Sequence, residues 1–190
     1  MIQLVGNMPL FTRPFLYLRH GETISNATGL IAGSTDVALT PRGRTQAEQA
    51  ARVLRDAGVT AIYSSALRRA RDTALIIARE LELPVTPIVE LGERNWGELE
   101  GKPRALRMPG TTPRRAETPE AFAQRVLAGL ARIDAPMPLI VAHSGIYRVL
   151  CRALGVMEPE QPISNCVPLR FVPPPVTGAP WHAESLQGKV

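Results

Sequence analysis

Two of the chain's three histidines, His20 and His143, each stand within two residues of the end of a short apolar run, and a glycine lies within two residues of each. Arg19 immediately precedes the first, and Arg68 comes just after the pair Ser64-Ser65 that ends a third short segment. These are residue types suited to anion chemistry. Arginine offers a planar fork of donors that fits phosphate and carboxylate oxygens. A neutral imidazole can attack phosphorus, and the phosphohistidine so formed divides one difficult displacement into two easier ones. Each residue taken singly also has a plain structural reading. A histidine at a strand end is commonly a hydrogen-bonded core residue, and Arg68, beside Arg69 and Arg71, could lie on a solvated helix face with Asp72 and Glu80. The chemistry therefore depends on whether the fold brings the three segments to one edge.

The surrounding elements are legible in the hydrophobic pattern. Phe15 to Leu18 is a continuous apolar run of strand length, as expected for a strand covered on both faces. Thr40-Pro41 supplies an N-cap followed by proline at the first helical position, and Ala47, Ala50, Ala51, Leu54 and Ala57 recur at helical spacing up to Gly58. Residues 61–63 form a second short strand, with Leu67, Ala70, Ala74, Ile77, Ala78 and Leu81 as the inward stripe of the helix after it. Ser64 or Ser65 is the expected cap of that helix. Residues 94–119 are rich in glycine and proline and read as loop. A helix follows around 119–133, then the buried strand 139–142, then a helix over 145–154 closed by Gly155. The chain after Val167, broken by Pro173-Pro174-Pro175 and Pro180, suits short strands at a sheet edge. Alternating strands and helices predict an α/β three-layer sandwich, a mainly parallel sheet with helices on both faces. In such sheets ligands sit beyond the carboxyl ends of the strands, where Arg19, His20, Arg68 and His143 all fall.

With 190 residues the chain suits one domain, expected over 14–187 after a short tail at 1–13. No stretch approaches the 18 apolar residues of a membrane span. The first residues lack a basic region followed by an apolar one, so the expected compartment is the cytoplasm. Cys151 and Cys166 are expected as free thiols. The net charge is +5, and all but two of the 22 basic residues are arginine. Aromatic residues make up 5% and do not interleave with a basic stripe, which argues against a nucleic-acid partner. The three histidines lack metal-ligand spacing, and no P-loop or G-x-G-x-x-G is present, so no metal or nucleotide cofactor is expected.

The motifs in combination resemble the histidine phosphatase superfamily, in its phosphoglycerate mutase-like branch. The opening signature stands as Arg19-His20-Gly21-Glu22-Thr23 and continues through Asn26, Gly29, Gly33 and Asp36 to Leu39-Thr40, Gly43 and Gln46-Ala47. Later blocks are Ser64-Ser65 with Arg68-Arg69-Ala70 and Thr73-Ala74; Leu91-Gly92-Glu93-Arg94 with Gly97 and Glu100-Gly101; and Val141-Ala142-His143-Ser144-Gly145 with Arg148. The resemblance spans about residues 14–172.

It implies that His20 is the phosphorylated nucleophile and that Arg19, Arg68 and His143 hold the phosphoryl oxygens, with Asn26 as a further contact. Glu93 would protonate the leaving oxygen and then activate water; Glu90, Glu98 and Glu100 share its loop, so its type alone does not single it out. Ser144 stands where glycine is frequent, and either adds a phosphate donor or caps the following helix, the cap being preferred. Arg104, Arg107, Arg114 and Arg115 either meet a second acidic group of the substrate or are solvated. The expected activity is a metal-independent phosphatase acting on a small phosphorylated metabolite. The alternatives are a cofactor-dependent mutase, which would need more chain to retain a bisphosphate, and an inactive phosphate-binding module.

Overall fold

The computed structural model describes residues 8–158, 162–176 and 179–187. Six strands form one mixed sheet: β1 (Phe15–Arg19), β2 (Ala61–Ser65), β3 (Val85–Ile88), β4 (Pro138–Ala142), β5 (Leu169–Val172) and β6 (His182–Ser185). Their order is β3-β2-β4-β1-β5-β6. The first four run parallel, while β5 and β6 pair antiparallel at one edge. Five α-helices surround the sheet: α1 (Ile24–Ala27), α2 (Pro41–Leu54), α3 (Arg68–Leu81), α4 (Pro119–Leu130) and α5 (Ser144–Leu154).

Side chains alternate across a strand, and here that alternation builds two cores. Phe15, Tyr17, Ile140 and Ala142 pack on one face with Phe122 and Val126 of α4 and Ile146 and Leu150 of α5. Leu16, Leu18, Leu139 and Val141 pack on the other with Ala47 and Leu54 of α2 and Ala74 and Ile77 of α3. With cover on both faces, β1 and β4 are buried throughout, and their positions are apolar except for Arg19 at the carboxyl end of β1. The expected three-layer arrangement holds.

Helix starts follow the sequence in part. Thr40 accepts from Gly43 N at 3.0 Å with Pro41 in the first turn. Ser64 and Ser65 do not cap α3: its N-cap is Leu67, and the Arg68 N–H is taken by Asp36 Oδ1 at 2.6 Å. Ser65 Oγ instead accepts from Leu67 N at 3.2 Å. Ser144 does not cap α5 either, because His143 occupies the cap position and Ser144 is already helical. The expected tail also differs. Met8 and Leu10 are buried against Phe15 and α5, so residues 8–13 belong to the packed body. Residues 94–118 carry only short 3₁₀ turns. Strand β3, short, half-exposed and interrupted by Pro87, has no counterpart in the pattern reading.

Candidate active site

Parallel register sets the centre of the site. Arg19 of β1 pairs with Ala142 of β4, so His20 and His143 leave the sheet side by side, with ring centroids 5.2 Å apart. His20 N donates to Ala142 O at 3.0 Å, and the buried Tyr17 hydroxyl donates to His143 O at 2.5 Å, fixing both strand ends. His20 and His143 are themselves buried.

The ring of His20 is oriented by a carbonyl. Its Nδ1 lies 2.7 Å from Gly21 O, which can only accept, so Nδ1 carries the proton and Nε2 keeps its lone pair. Burial, followed by the charges of Arg69 and Arg19, holds its pKa well below 6.5. The imidazole is therefore neutral and nucleophilic at neutral pH. His143 is held neutral by the same causes. Its Nε2 meets Ser65 Oγ at 2.8 Å, while its buried Nδ1 has no partner among the described residues. Ser65 Oγ, which accepts from Leu67 N, can also donate its own proton to His143 Nε2, and in that tautomer Nδ1 is a donor.

Two buried guanidinium groups flank the histidines. Arg19 donates from Nη1 to Ile163 O at 2.7 Å, and burial together with Arg104 lowers its pKa to about 10, which leaves it charged at neutral pH. The second is Arg69, only 1% exposed, whose Nη1 donates to Thr35 O at 2.8 Å and Nη2 to Gly33 O at 2.7 Å. Both retain a buried Nε with no partner among the described residues. Arg68, the residue expected in this place, points elsewhere: its side chain is half-exposed and sits 3.5 Å from Asp72. Successive helical residues are about 100° apart, so only one of the two arginines can share the inward face with Thr73 and Ile77. That one is Arg69. Thr73 lies four positions and Ile77 eight positions beyond it in the sequence, and that spacing was the signal available without a structure.

Glu93 is placed by three elements. Its Oε1 accepts from Arg94 N at 2.8 Å and its Oε2 from Gly145 N, in the first turn of α5, at 3.1 Å. A Cβ on residue 145 would collide with that carboxylate, so glycine there leaves the room that Glu93 occupies. Arg125 of α4 grips the turn before it, donating to Glu90 O at 2.7 Å and Gly92 O at 3.0 Å while pairing with Glu117 at 2.8 Å. Arg125 had no mark in the sequence. Nor had Asn165, which donates to His20 O at 2.6 Å. Asn26 chiefly builds the capping box of α1 with Thr23, its Oδ1 accepting from Thr23 N at 3.2 Å and from Asn165 at 3.3 Å.

The loop arginines divide. Arg104 donates to Leu30 O at 3.2 Å and its charge reaches Arg19 and His20; Arg107 lies 4.0 Å over Trp96, which Arg94 also covers at 4.4 Å. Arg114 and Arg115 line a separate open cavity of about 510 Å³ with Asn95, Glu98 and Glu100. Ser144 makes no side-chain hydrogen bond among the described residues.

A strand-end histidine pair between two buried arginines on this sheet defines a phosphoryl-binding α/β protein. The chain belongs to the histidine phosphatase superfamily, branch 1, whose family model matches residues 15–168. It is 34% identical over 150 residues to an uncharacterized phosphatase, PhoE, of Bacillus subtilis, covering 75% of this chain and 78% of that protein. A 2,3-bisphosphoglycerate-dependent phosphoglycerate mutase of Thermobifida fusca is 42% identical, but over 93 residues, 46% of this chain and 38% of the mutase. Among solved structures, a mycobacterial glucosyl-3-phosphoglycerate phosphatase in complex with VO3 superposes with a TM-score of 0.75 at 26% identity, covering 91% of this chain and 98% of that one.

Proposed function

We propose that this phosphatase hydrolyses small phosphomonoesters through a phosphohistidine on His20, with Glu93 as general acid and base. The observation that carries the reading is the neutral, buried His20 imidazole, proton fixed on Nδ1, between guanidinium groups that spend their bonds on carbonyls and keep N–H groups free. Nε2 attacks phosphorus and the ester P–O bond breaks, its oxygen taking a proton from Glu93. Arg19, Arg69 and His143 Nδ1 hold the three equatorial oxygens as charge spreads over them. Water then loses its proton to Glu93 and attacks phosphorus, the P–N bond breaks, and inorganic phosphate leaves. A single acid–base carboxyl contributes about 10²- to 10⁴-fold. Asn26, whose Oδ1 is held by Thr23 N and Asn165, is proposed as a further contact to the same oxygens through its amide N–H₂.

Rapid quenching with labelled substrate tests the nucleophile. Wild type should yield an acid-labile, alkali-stable phosphoenzyme that His20→Ala lacks; a His20→Ala enzyme that still hydrolyses would end the mechanism. Phosphate should be released steadily without metal or bisphosphate primer. Efficient isomerisation of 3-phosphoglycerate after priming with 2,3-bisphosphoglycerate, with far slower phosphate release, would make the protein a mutase instead.

A further inference from the structure

We infer that Glu100 is a positioning residue for phosphoryl transfer, acting on the Arg69 guanidinium through the peptide unit between Gly33 and Ser34. The inference rests on the phosphatase reading above and extends it to a carboxylate remote from the reacting atoms.

Five donors converge on this one carboxylate. Oε1 accepts from Ser34 N at 2.7 Å, Ser34 Oγ at 2.8 Å and Trp96 N at 3.1 Å. Oε2 accepts from Thr35 N at 3.0 Å and Thr35 Oγ1 at 2.6 Å. A carboxylate has about four lone-pair sites, so this one is saturated from two separate segments. A solvated surface glutamate has no need of that. Burial would raise its pKa, but the bonds from Thr35, Ser34 and Trp96 outweigh it and keep the group ionised.

The opposite side of the same segment holds Arg69. Gly33 O accepts from Arg69 Nη2 and Thr35 O from Nη1. The C=O of Gly33 and the N–H of Ser34 belong to one trans peptide and point to opposite sides of the chain. Glu100 and Arg69 therefore sit on opposite sides of one peptide unit, the anion on its N–H and the cation on its C=O. Hydrogen bonds in series polarise one another in a low-dielectric interior. Residue 33 has φ of +54°, and a Cβ there would collide with Glu100 Oε1, so glycine is what lets the carboxylate approach. The segment also ends in Asp36, which takes the Arg68 N–H at 2.6 Å. It thus grips both the entry of α3 and the tip of Arg69. The buried Nε of Arg69 has no partner among the described residues, and that donor is assigned to a phosphoryl oxygen.

The test is a double-mutant cycle of Glu100→Gln and Arg69→Ala, read by kcat/KM and by vanadate affinity from calorimetry. Glutamine keeps the shape but turns an amide N–H₂ toward donors. Glu100→Gln should lower kcat/KM and vanadate affinity by about tenfold or more, the scale of lost outer-shell support. The loss should be equal for aryl and alkyl phosphates, since the phosphoryl group and not the leaving oxygen is affected. On an Arg69→Ala background the same change should cost less than about threefold, because its target is gone. Glu98→Gln, in the same loop, should leave activity unchanged. Glu100→Gln with wild-type kinetics, or losses that simply add, would overturn the inference and reduce Glu100 to a loop staple. If Glu100→Gln does not fold, Thr35→Val, which deletes the shortest of the five bonds, takes its place in the cycle with the same two outcomes. A wild-type protein that hydrolyses nothing would sink the phosphatase reading, while the vanadate cycle would still decide the role of Glu100.

Discussion

Replacing Arg69 by alanine removes a guanidinium that is 1% exposed and hydrogen-bonded to two carbonyls, whereas Arg68→Ala removes one that is half in solvent beside Asp72. The two variants differ by one position and should differ by orders of magnitude. A hydrogen bond from a charged donor is worth about 1.5–3 kcal/mol, so two lost from Arg69 to a phosphoryl oxygen cost about 3–6 kcal/mol. At about 1.36 kcal/mol per tenfold, that is a fall of about 10²- to 10⁴-fold in kcat/KM. The Arg68 pair is exposed and screened, worth about 0–1 kcal/mol to stability and nothing directly to the reaction, so its removal should change kcat/KM by less than about threefold. Steady-state hydrolysis of an aryl phosphate, with vanadate inhibition as the binding readout and thermal melts as the folding control, measures both. An Arg68→Ala enzyme more impaired than Arg69→Ala, or an Arg69→Ala enzyme keeping more than about a tenth of wild-type kcat/KM, would refute the placement of the phosphate-binding arginine.

Glu93→Gln should slow alkyl phosphates by about 10²-fold or more while sparing aryl phosphates, whose leaving oxygen needs little protonation; equal losses would move the acid role to another group. Gly145→Ala should displace the Glu93 carboxylate and reproduce that leaving-group pattern in a folded protein; unchanged alkyl phosphate kinetics would show that Glu93 does not need its bond to Gly145 N. His20 and His143 are held neutral, so below about pH 6.5 the unfolded chain takes up protons that the folded one refuses. Stability should fall as pH drops from 6.5, by up to about 1.4 kcal/mol per pH unit for each histidine, and saturating phosphate should oppose the fall. Urea midpoints that stay level between pH 7.5 and 5.5 in both wild type and His143→Gln would contradict the neutral assignment.

Much of the framework follows from one-dimensional pattern. A run such as Phe15 to Leu18, apolar at every position, is stable only with cover on both faces, and that forces a central strand and helices on either side. Parallel strands joined by helices must end together, so His20 and His143 could be placed at one edge before any coordinates were known. The Thr40-Pro41 start of α2 is equally local, since a cap and its N–H lie three residues apart.

The rest turned on partners distant in the chain. Whether Arg68 or Arg69 faces inward depends on a rotation of about 100°, and the carbonyls of Gly33 and Thr35, more than 30 residues upstream, receive the inward one. Among the glutamates of one loop, Glu93 meets the first turn of α5 and Glu100 the Ser34-Thr35 segment. Residue type cannot separate the two, because both are carboxylates in irregular backbone. Pattern reports which face of a regular element is apolar, but a polar side chain takes its role from the donors and acceptors that packing brings to it.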